Sequence, residues 1–323
     1  MLNGILGTIE MKTKTSSILF TLKNRTFIKG LFYKLFSKKN RLLDNPDIQN
    51  REAKHLFNYK YDCINPRTFN EHLGWIKYNY TNELWEKSAD KLGAKDFLSG
   101  IGLQKYLPKT LAVYNNVSEI DLKKLPNQFV LKTNHDSGTV FICNKSTTNF
   151  DSTFRKLSES INRNYSNNGE WVYSKIKPLI FAEELLTPLN RGNELIDYKF
   201  FIYNGKFEWG FTGQNREKDC RFCVFEKDFD IQNVEYIYLK PNKRKMPAKP
   251  IHFDEMVEIA ETIGKMFWFV RVDFYETVNG PIIGELTFFS QSGLGPFTKK
   301  EFDFKYGELF KKTPFFNLIK GNK

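Results

Sequence analysis

The stretch from Arg271 to Phe288, R-V-D-F-Y-E-T-V-N-G-P-I-I-G-E-L-T-F, reads as two strands around a tight turn. Alternation puts Arg271 and Asp273 on one face of the first strand and Val270, Val272 and Phe274 on the other. Glu285 and Thr287 share a face of the second strand. Register decides whether the two polar faces coincide, because a slip of one residue flips every side chain. A two-residue Asn279-Gly280 turn pairs Val278 with Pro281 and sets Asp273 against Leu286. A three-residue Val278-Asn279-Gly280 turn, with the glycine left-handed, pairs Thr277 with Pro281. That register brings Asp273 opposite Glu285 and Arg271 opposite Thr287. Two carboxylates so placed, with Cβ atoms ~5 Å apart, repel unless a cation lies between them. Oxygen ligands of this kind, completed by phosphates and water, hold Mg²⁺ beside a nucleotide. The alternative is a set of solvated positions on an open sheet face.

The remaining pattern mixes strands and helices without strict alternation, which argues an α+β fold. From about Leu56 to Leu107 the pattern is mostly helical, broken at Asn65-Pro66 and Gly100-Ile101-Gly102. Phe129–Lys132 and Thr139–Cys143 read as short strands around the loop Thr133–Gly138, followed by a helix over Ser152–Asn164. Leu179–Ala182 reads as a strand that breaks at Glu183-Glu184. Asp197–Tyr203 and Lys206–Thr212 flank the hairpin turn Asn204-Gly205. Phe253, Met256, Val257, Ala260, Ile263, Gly264 and Phe267 recur at helical spacing, with Asp254 and Glu255 in the first turn.

The net charge of +12 is unevenly placed. Residues 1–41 carry +8 and Lys240–Lys249 carries +5, which leaves the rest of the chain at −1. A nucleic-acid binder spreads positive charge over its working face, so this distribution argues against that function. Four cysteines, with one C-x-x-C at Cys220 and Cys223 and no histidine near it, read as reduced thiols in a cytoplasmic compartment. No apolar run reaches the ~18 residues of a membrane span. Within residues 23–39, Phe27, Ile28, Leu31, Phe32, Leu35 and Phe36 fall on one half of a helix, with Lys29, Tyr33 and Lys34 on the other. Such a basic amphipathic helix suits the inner surface of an anionic membrane or a dock on the protein's own body.

Taken in order, several stretches resemble a known family: Ala89-Asp90-Lys91, Lys95, Gly102-Leu103 and Leu107-Pro108; Phe129–Gly138; Ile180–Glu184; Asp197–Phe200; Arg271-Val272-Asp273; Glu285-Leu286-Thr287; and Ser292-Gly293-Leu294. The set is similar to the ATP-grasp superfamily. With Asn65–Trp75, N-P-R-T-F-N-E-H-L-G-W, it is similar to the teichuronopeptide-biosynthesis, or TupA-like, branch. The resemblance spans roughly Asn65 to Asp303. It implies an ATP-grasp fold, two α+β subdomains whose antiparallel sheets clasp ATP, preceded by a mostly helical N-terminal region. The expected divisions are a basic arm over 1–45, a helical region over 46–88, a small subdomain over 89–181, a large subdomain with the metal site over 182–310, and a tail over 311–323.

The resemblance also implies roles. Lys132, at the end of a strand, meets the α- and β-phosphates, and Lys95, or else Lys91, adds a second cation. Ser137 and Gly138 offer backbone amides to phosphate. The Glu183–Leu186 stretch is the hinge whose backbone reads adenine, with Glu183 or Glu184 on the ribose. Asp197 and Lys199 share a strand face, and Lys199 faces the γ-phosphate. Asp273 and Glu285 are the Mg²⁺ carboxylates. The family's third ligand is an Asn where this chain has Thr287, which ligates directly or through water, or leaves a second metal more weakly held. Arg271 steadies the acyl phosphate and the tetrahedral intermediate. Arg216, Arg221, Ser292 and Gly293 are the substrate-side candidates.

The implied activity is an ATP- and Mg²⁺-dependent ligase joining an amino acid or amine to an acidic sugar of a surface polysaccharide. Three other readings stand beside it, one of them a non-catalytic nucleotide-binding scaffold. A sugar kinase on the same scaffold would leave a stable phosphorylated product without an amine. A glycosyltransferase would want a D-x-D metal site, for which only Asp228-Phe229-Asp230 offers itself.

Overall fold

The structure, a computed structural model, describes residues 45–163, 169–189, 195–214, 221–237 and 248–317. The amphipathic stretch 23–39 and Arg216 lie outside the described residues. Among the described residues no helix is long and apolar enough to cross a membrane.

Among the described residues four helices come first: α1 Pro46–Ala53, α2 Phe69–Asn79, α3 Glu83–Ala89 and α4 Lys91–Gly100. The N-P-R-T-F-N-E motif starts α2 with a capping box, in which Thr68 accepts from the Glu71 amide and Glu71 accepts from the Thr68 amide. A four-stranded antiparallel sheet follows, β1 Thr110–Tyr114, β2 Gln128–Thr133, β3 Val140–Asn144 and β4 Ile180–Glu184, in the order β1-β4-β2-β3. Helix α5, Phe150–Ile161, puts Leu157 into a core with Phe129, Leu131, Cys143, Ile180 and Ala182. Alternation then leaves Lys132, Phe181 and Glu183 on the opposite face. The strand β4 continues through Glu183-Glu184, where the sequence suggested a break. Glu184 stays in register opposite Phe129, and the Glu183 charge is matched by lysines rather than expelled to solvent.

The second sheet has six antiparallel strands: β5 Asp197–Tyr203, β6 Lys206–Gln214, β7 Arg221–Glu226, β8 Ile231–Glu235, β9 Phe269–Thr277 and β10 Gly280–Thr287. Their order is β10-β9-β5-β6-β7-β8. Every residue of β5 is buried, because both faces are covered. On one side Phe200 meets Phe253 of α6, Phe253–Gly264. On the other, Phe69 of α2 packs edge-on against Phe201 and Trp209, and Tyr306 of α7, Lys300–Glu308, stacks on Trp209 at 4.2 Å. The apolar part of this second face is thus sealed by α2 and α7, and its polar part, beyond Phe201, lines the site.

Helix α2 also fixes the loop after β10. Asn70 Nδ2 donates to the Gly295 carbonyl at 2.9 Å, and the Gly295 amide donates back to Asn70 Oδ1 at 3.0 Å. Tyr61 Oη donates to the Gly293 carbonyl at 3.2 Å, and Lys77 Nζ reaches the Ser292 carbonyl and hydroxyl at 3.1 Å each. Asp303 of α7 accepts from the Asn70 amide and side chain and from Tyr59 Oη. Burial pushes the Asp303 carboxyl up to about 6 against those donors. Nearby His72 stacks on Phe310 at 4.6 Å with Nδ1 2.7 Å from the Thr68 carbonyl, and burial pushes it down to about 4.

The two groups act in opposite senses on stability. Asp303 binds its proton more tightly folded than unfolded, so its contribution is present at low pH and lost as pH rises through about 6. His72 binds its proton less tightly folded, so its contribution is present above its ordinary value and lost as pH falls towards about 4. Asp303→Asn removes the first and leaves the second. On acidification from pH 6.5 to 4, the variant should lose unfolding free energy more steeply than wild type, by up to ~1.4 kcal/mol per pH unit. Urea titrations across that range measure it, and parallel slopes would refute it.

Candidate active site

In the hairpin that carries the polar residues, Asp273 faces Glu285 and Arg271 faces Thr287. The route to that register differs from the three-residue turn expected. The turn is Val278-Asn279, Thr277 pairs with Gly280 at φ 100°, and the ladder runs on through Phe274 and Ile283. The missing one-residue offset enters at Gly284, a bulge between Ile283 and Glu285. A Cβ there would lie 2.7 Å from the Tyr275 ring, so any larger residue at the bulge forces that ring to shift.

Strand β5 adds a third member to each pair. Lys199 faces Asp273 on β9, and Phe201 faces Arg271. One row across three strands therefore reads Lys199, Asp273, Glu285, and the next reads Phe201, Arg271, Thr287. The side chains join into one network. Asp273 Oδ1 accepts from Arg271 Nε at 2.6 Å. Asp273 Oδ2 accepts from Arg271 Nη2 at 2.7 Å and from Lys199 Nζ. Lys199 also donates to Asp197 Oδ2 at 2.7 Å. Arg271 Nη2 donates to Thr287 Oγ1 at 2.8 Å, and Thr287 Oγ1 donates to Glu285 Oε1 at 3.0 Å. Burial alone would raise the Asp273 carboxyl, but Arg271 and then Lys199 outweigh it and hold it below the usual range. Burial lowers Lys199, with Asp273 opposing.

Lys95 of α4 and Lys132 of β2 converge on Glu183 of β4. They line a cleft with Phe181 and, from the other sheet, Ile283, Gly284 and Glu285. Lys91 donates instead to the Asp136 carbonyl. Ser137 and Gly138 form the exposed tip of a loop whose base is tied down, with Asn134 donating to Asp90 and accepting from the Leu179 amide. Glu184 Oε1 accepts from the Lys109 amide at 2.7 Å, and Leu186 is half-buried just after β4. Ser292 at φ 59° and Gly293 at φ 72° sit in the loop held by α2. Arg221 starts β7.

The structure brings Lys199, Arg271, Asp273, Glu285 and Thr287 into one network, and Lys95, Lys132 and Glu183 into another, with Glu285 reaching the shared cleft. Two further groups escaped the sequence reading. Lys77 is buried on α2 and pushed down by burial to about 8. Glu170 is raised by burial, with Lys77 opposing, hydrogen-bonds Ser292, and feels the charges of Glu285 and Arg271. A lysine on the core side of a helix was a visible signal for Lys77, whereas Glu170 lies in a polar turn that carries none.

The donors at the hairpin are all hard oxygens, two carboxylates and a hydroxyl. A carboxylate has about four lone-pair sites, and the three bonds to Asp273 leave room for one more ligand on Oδ1. Among the described residues no group of three or more His, Cys, Asp or Glu is arranged to hold a metal ion. The set therefore suits a hard cation that takes its remaining ligands from phosphate and water.

A family model described as TupA-like ATPgrasp matches residues 71–311. The chain belongs to the TupA-like ATP-grasp family and has its α+β ATP-grasp fold. No curated protein matches the chain. Among solved structures it is similar to a D-alanine–D-alanine ligase from Bacillus anthracis complexed with ATP, at 15% identity over 80% of this chain and 77% of that one, with a TM-score of 0.43. It is also similar to an L-amino acid ligase from Bacillus licheniformis, at 11% identity over 70% of this chain and 49% of that one, with a TM-score of 0.40.

The network ranks two substitutions. Thr287→Val removes the hydroxyl between Arg271 and Glu285 and should cost about 1–3 kcal/mol of unfolding free energy. Asp273→Asn leaves Arg271 and Lys199 buried without their shared counter-charge and should cost more, about 3–5 kcal/mol. Denaturant titrations of both variants check the order, and a Thr287→Val cost above that of Asp273→Asn would contradict the network's centre.

Proposed function

We propose that this protein is an ATP- and Mg²⁺-dependent carboxylate–amine ligase that joins an amino acid or other amine to an acidic sugar of a surface polysaccharide or its precursor. What supports the reading is the row Lys199–Asp273–Glu285, backed by Arg271–Thr287, whose Glu285 lines a cleft that Lys95 and Lys132 line as well. ATP and Mg²⁺ are what ATP-grasp ligases use, and one similar structure is complexed with Mg and ADP. Asp273 and Glu285 would hold Mg²⁺, which when bound neutralises phosphate charge and orients the transferring group.

The chain's own residues divide the remaining work. Lys95 and Lys132 bind the α- and β-phosphates, and the Ser137-Gly138 amides cover them. The backbone after β4, through Leu186, reads adenine. Lys199, held between Asp197 and Asp273, faces the γ-phosphoryl group. A substrate carboxylate oxygen attacks that phosphorus and ADP leaves, giving an acyl phosphate. The amine nitrogen then attacks the acyl carbon, and phosphate leaves as the amide forms. Arg271, rigidly placed by Asp273, Thr287 and Ser290, stabilises the oxyanion of that step. Thr287 takes the part of a hydrogen-bonded link between Arg271 and Glu285, and its hydroxyl would add a ligand to the cation through water. Arg216, Arg221, Ser292 and Gly293 are assigned to the substrate side.

The test is turnover with purified protein. ADP and phosphate should appear only with Mg²⁺, an acidic sugar and an amine together, with an amide in the product by mass spectrometry. Asp273→Asn should lower the rate by about 100-fold or more. ATP consumption without amide for any uronate–amine pair would remove the ligase assignment, and a stable phosphosugar formed without amine would make the protein a kinase. In the host, loss of the gene should remove an amide-linked amino acid from the surface polysaccharide.

A further inference from the structure

Lys95 and Lys132 approach from different elements and meet on one side chain. Glu183 Oε1 lies 2.5 Å from Lys95 Nζ, and Glu183 Oε2 pairs with Lys132 Nζ. The Glu183 side chain is only 3% exposed, and the lysine side chains are 16% and 17% exposed. Lys95 has two more acceptors, the Pro108 carbonyl at 2.7 Å and Thr110 Oγ1 at 2.8 Å. An ammonium has three N–H donors, so all three of Lys95 are engaged. An incoming phosphate oxygen must displace one acceptor. Pro108 offers a main-chain carbonyl and Thr110 a hydroxyl at the start of β1, both neutral, whereas the Glu183 carboxylate is the anionic acceptor and the one a phosphate resembles.

A carboxylate bridging two ammonium groups has the charge and spacing of two phosphate oxygens. It also satisfies two like charges that would otherwise repel each other in a mostly buried cleft. We propose that Glu183 occupies the phosphate seat between Lys95 and Lys132 while nucleotide is absent, and that a polyphosphate binds by displacing it. This rests on the reading of Lys95 and Lys132 as the phosphate-facing lysines. Glu183 then sets selectivity. A nucleoside without phosphate has nothing to displace it with, a monoanion exchanges one charge for one, and a triphosphate brings an excess. The assignment differs from a ribose-reading role for Glu183, which would make its contact to the sugar rather than to the lysines.

Equilibrium binding of ATP, inorganic tripolyphosphate and adenosine, measured by calorimetry without Mg²⁺, separates these roles. Glu183→Gln should bind ATP and tripolyphosphate about tenfold more tightly than wild type, the scale of one strong ion pair removed from competition, with adenosine unchanged. ATP binding no tighter than wild type, or adenosine weakened in step with ATP, would overturn the proposal. Lys132→Met is the control on the underlying reading and should weaken ATP and tripolyphosphate. If it changes neither, the lysines are not phosphate ligands and the placeholder role falls with them. Should Glu183→Gln fail to fold, Glu183→Asp keeps the charge on a shorter arm. It should still tighten ATP binding, and an unchanged or weaker affinity counts against the proposal.

Discussion

A carboxylate buried beneath two cations governs this molecule. Asp273 is 2% exposed and accepts from both Arg271 and Lys199. The charges are tolerable at that depth because each has a partner: Asp273 answers Arg271 and Lys199, and Asp197 gives Lys199 a second counter-charge. The sheet order follows the same need. Asp273 can touch Lys199 only if β9 lies beside β5, although 74 residues separate the two side chains in sequence. The aromatic packing of Phe69, Phe201 and Trp209 beside the row, on the same sheet face, excludes water from one side, so the charges act on one another.

The N-P-R-T-F-N-E-H-L-G-W stretch has a mechanical part in this arrangement. Its helix contributes Phe69 to the core and Asn70 to the loop after β10, while Lys77, two turns further on, holds Ser292. Gln291 and Ser292 adopt left-handed backbone at φ 49° and 59°, conformations that an L-residue keeps only when its surroundings insist. The bonds from α2 supply that insistence. A helix more than two hundred residues upstream therefore shapes the wall next to Glu285 and Thr287.

Much of this was legible in the chain itself. Alternation and turn residues identified β5, β6, β9 and β10, short apolar runs identified β2, β3 and the start of β4, helical spacing identified α6, and the hairpin's polar residues announced themselves by sitting where apolar ones belong, whereas β1, β7 and β8 went unread. What stayed hidden has physical causes. The Gly284 bulge depends on the Tyr275 ring lying over it, a contact that no local pattern encodes. The extension of β4 through Glu183-Glu184 depends on lysines from two other elements. The pairing of Lys199 with Asp273 depends on strand order, and Glu170 enters through a turn with no periodicity at all. Local chemistry was readable wherever neighbours in sequence are neighbours in space, and it failed where burial of charge is negotiated at long range.

The bulge at Gly284 gives the hairpin two parities. The half near the turn, from Thr277–Gly280 to Phe274–Ile283, is in step with a two-residue turn, and the half at the site is one residue out of step with it. A single residue gained at the turn could be balanced by the loss of Gly284, and the carboxylates would still meet. Only the combined length between Asp273 and Glu285 must be kept, not the length of either part. Turn and site are thus free to vary separately, with the kink between them working as a phase shifter.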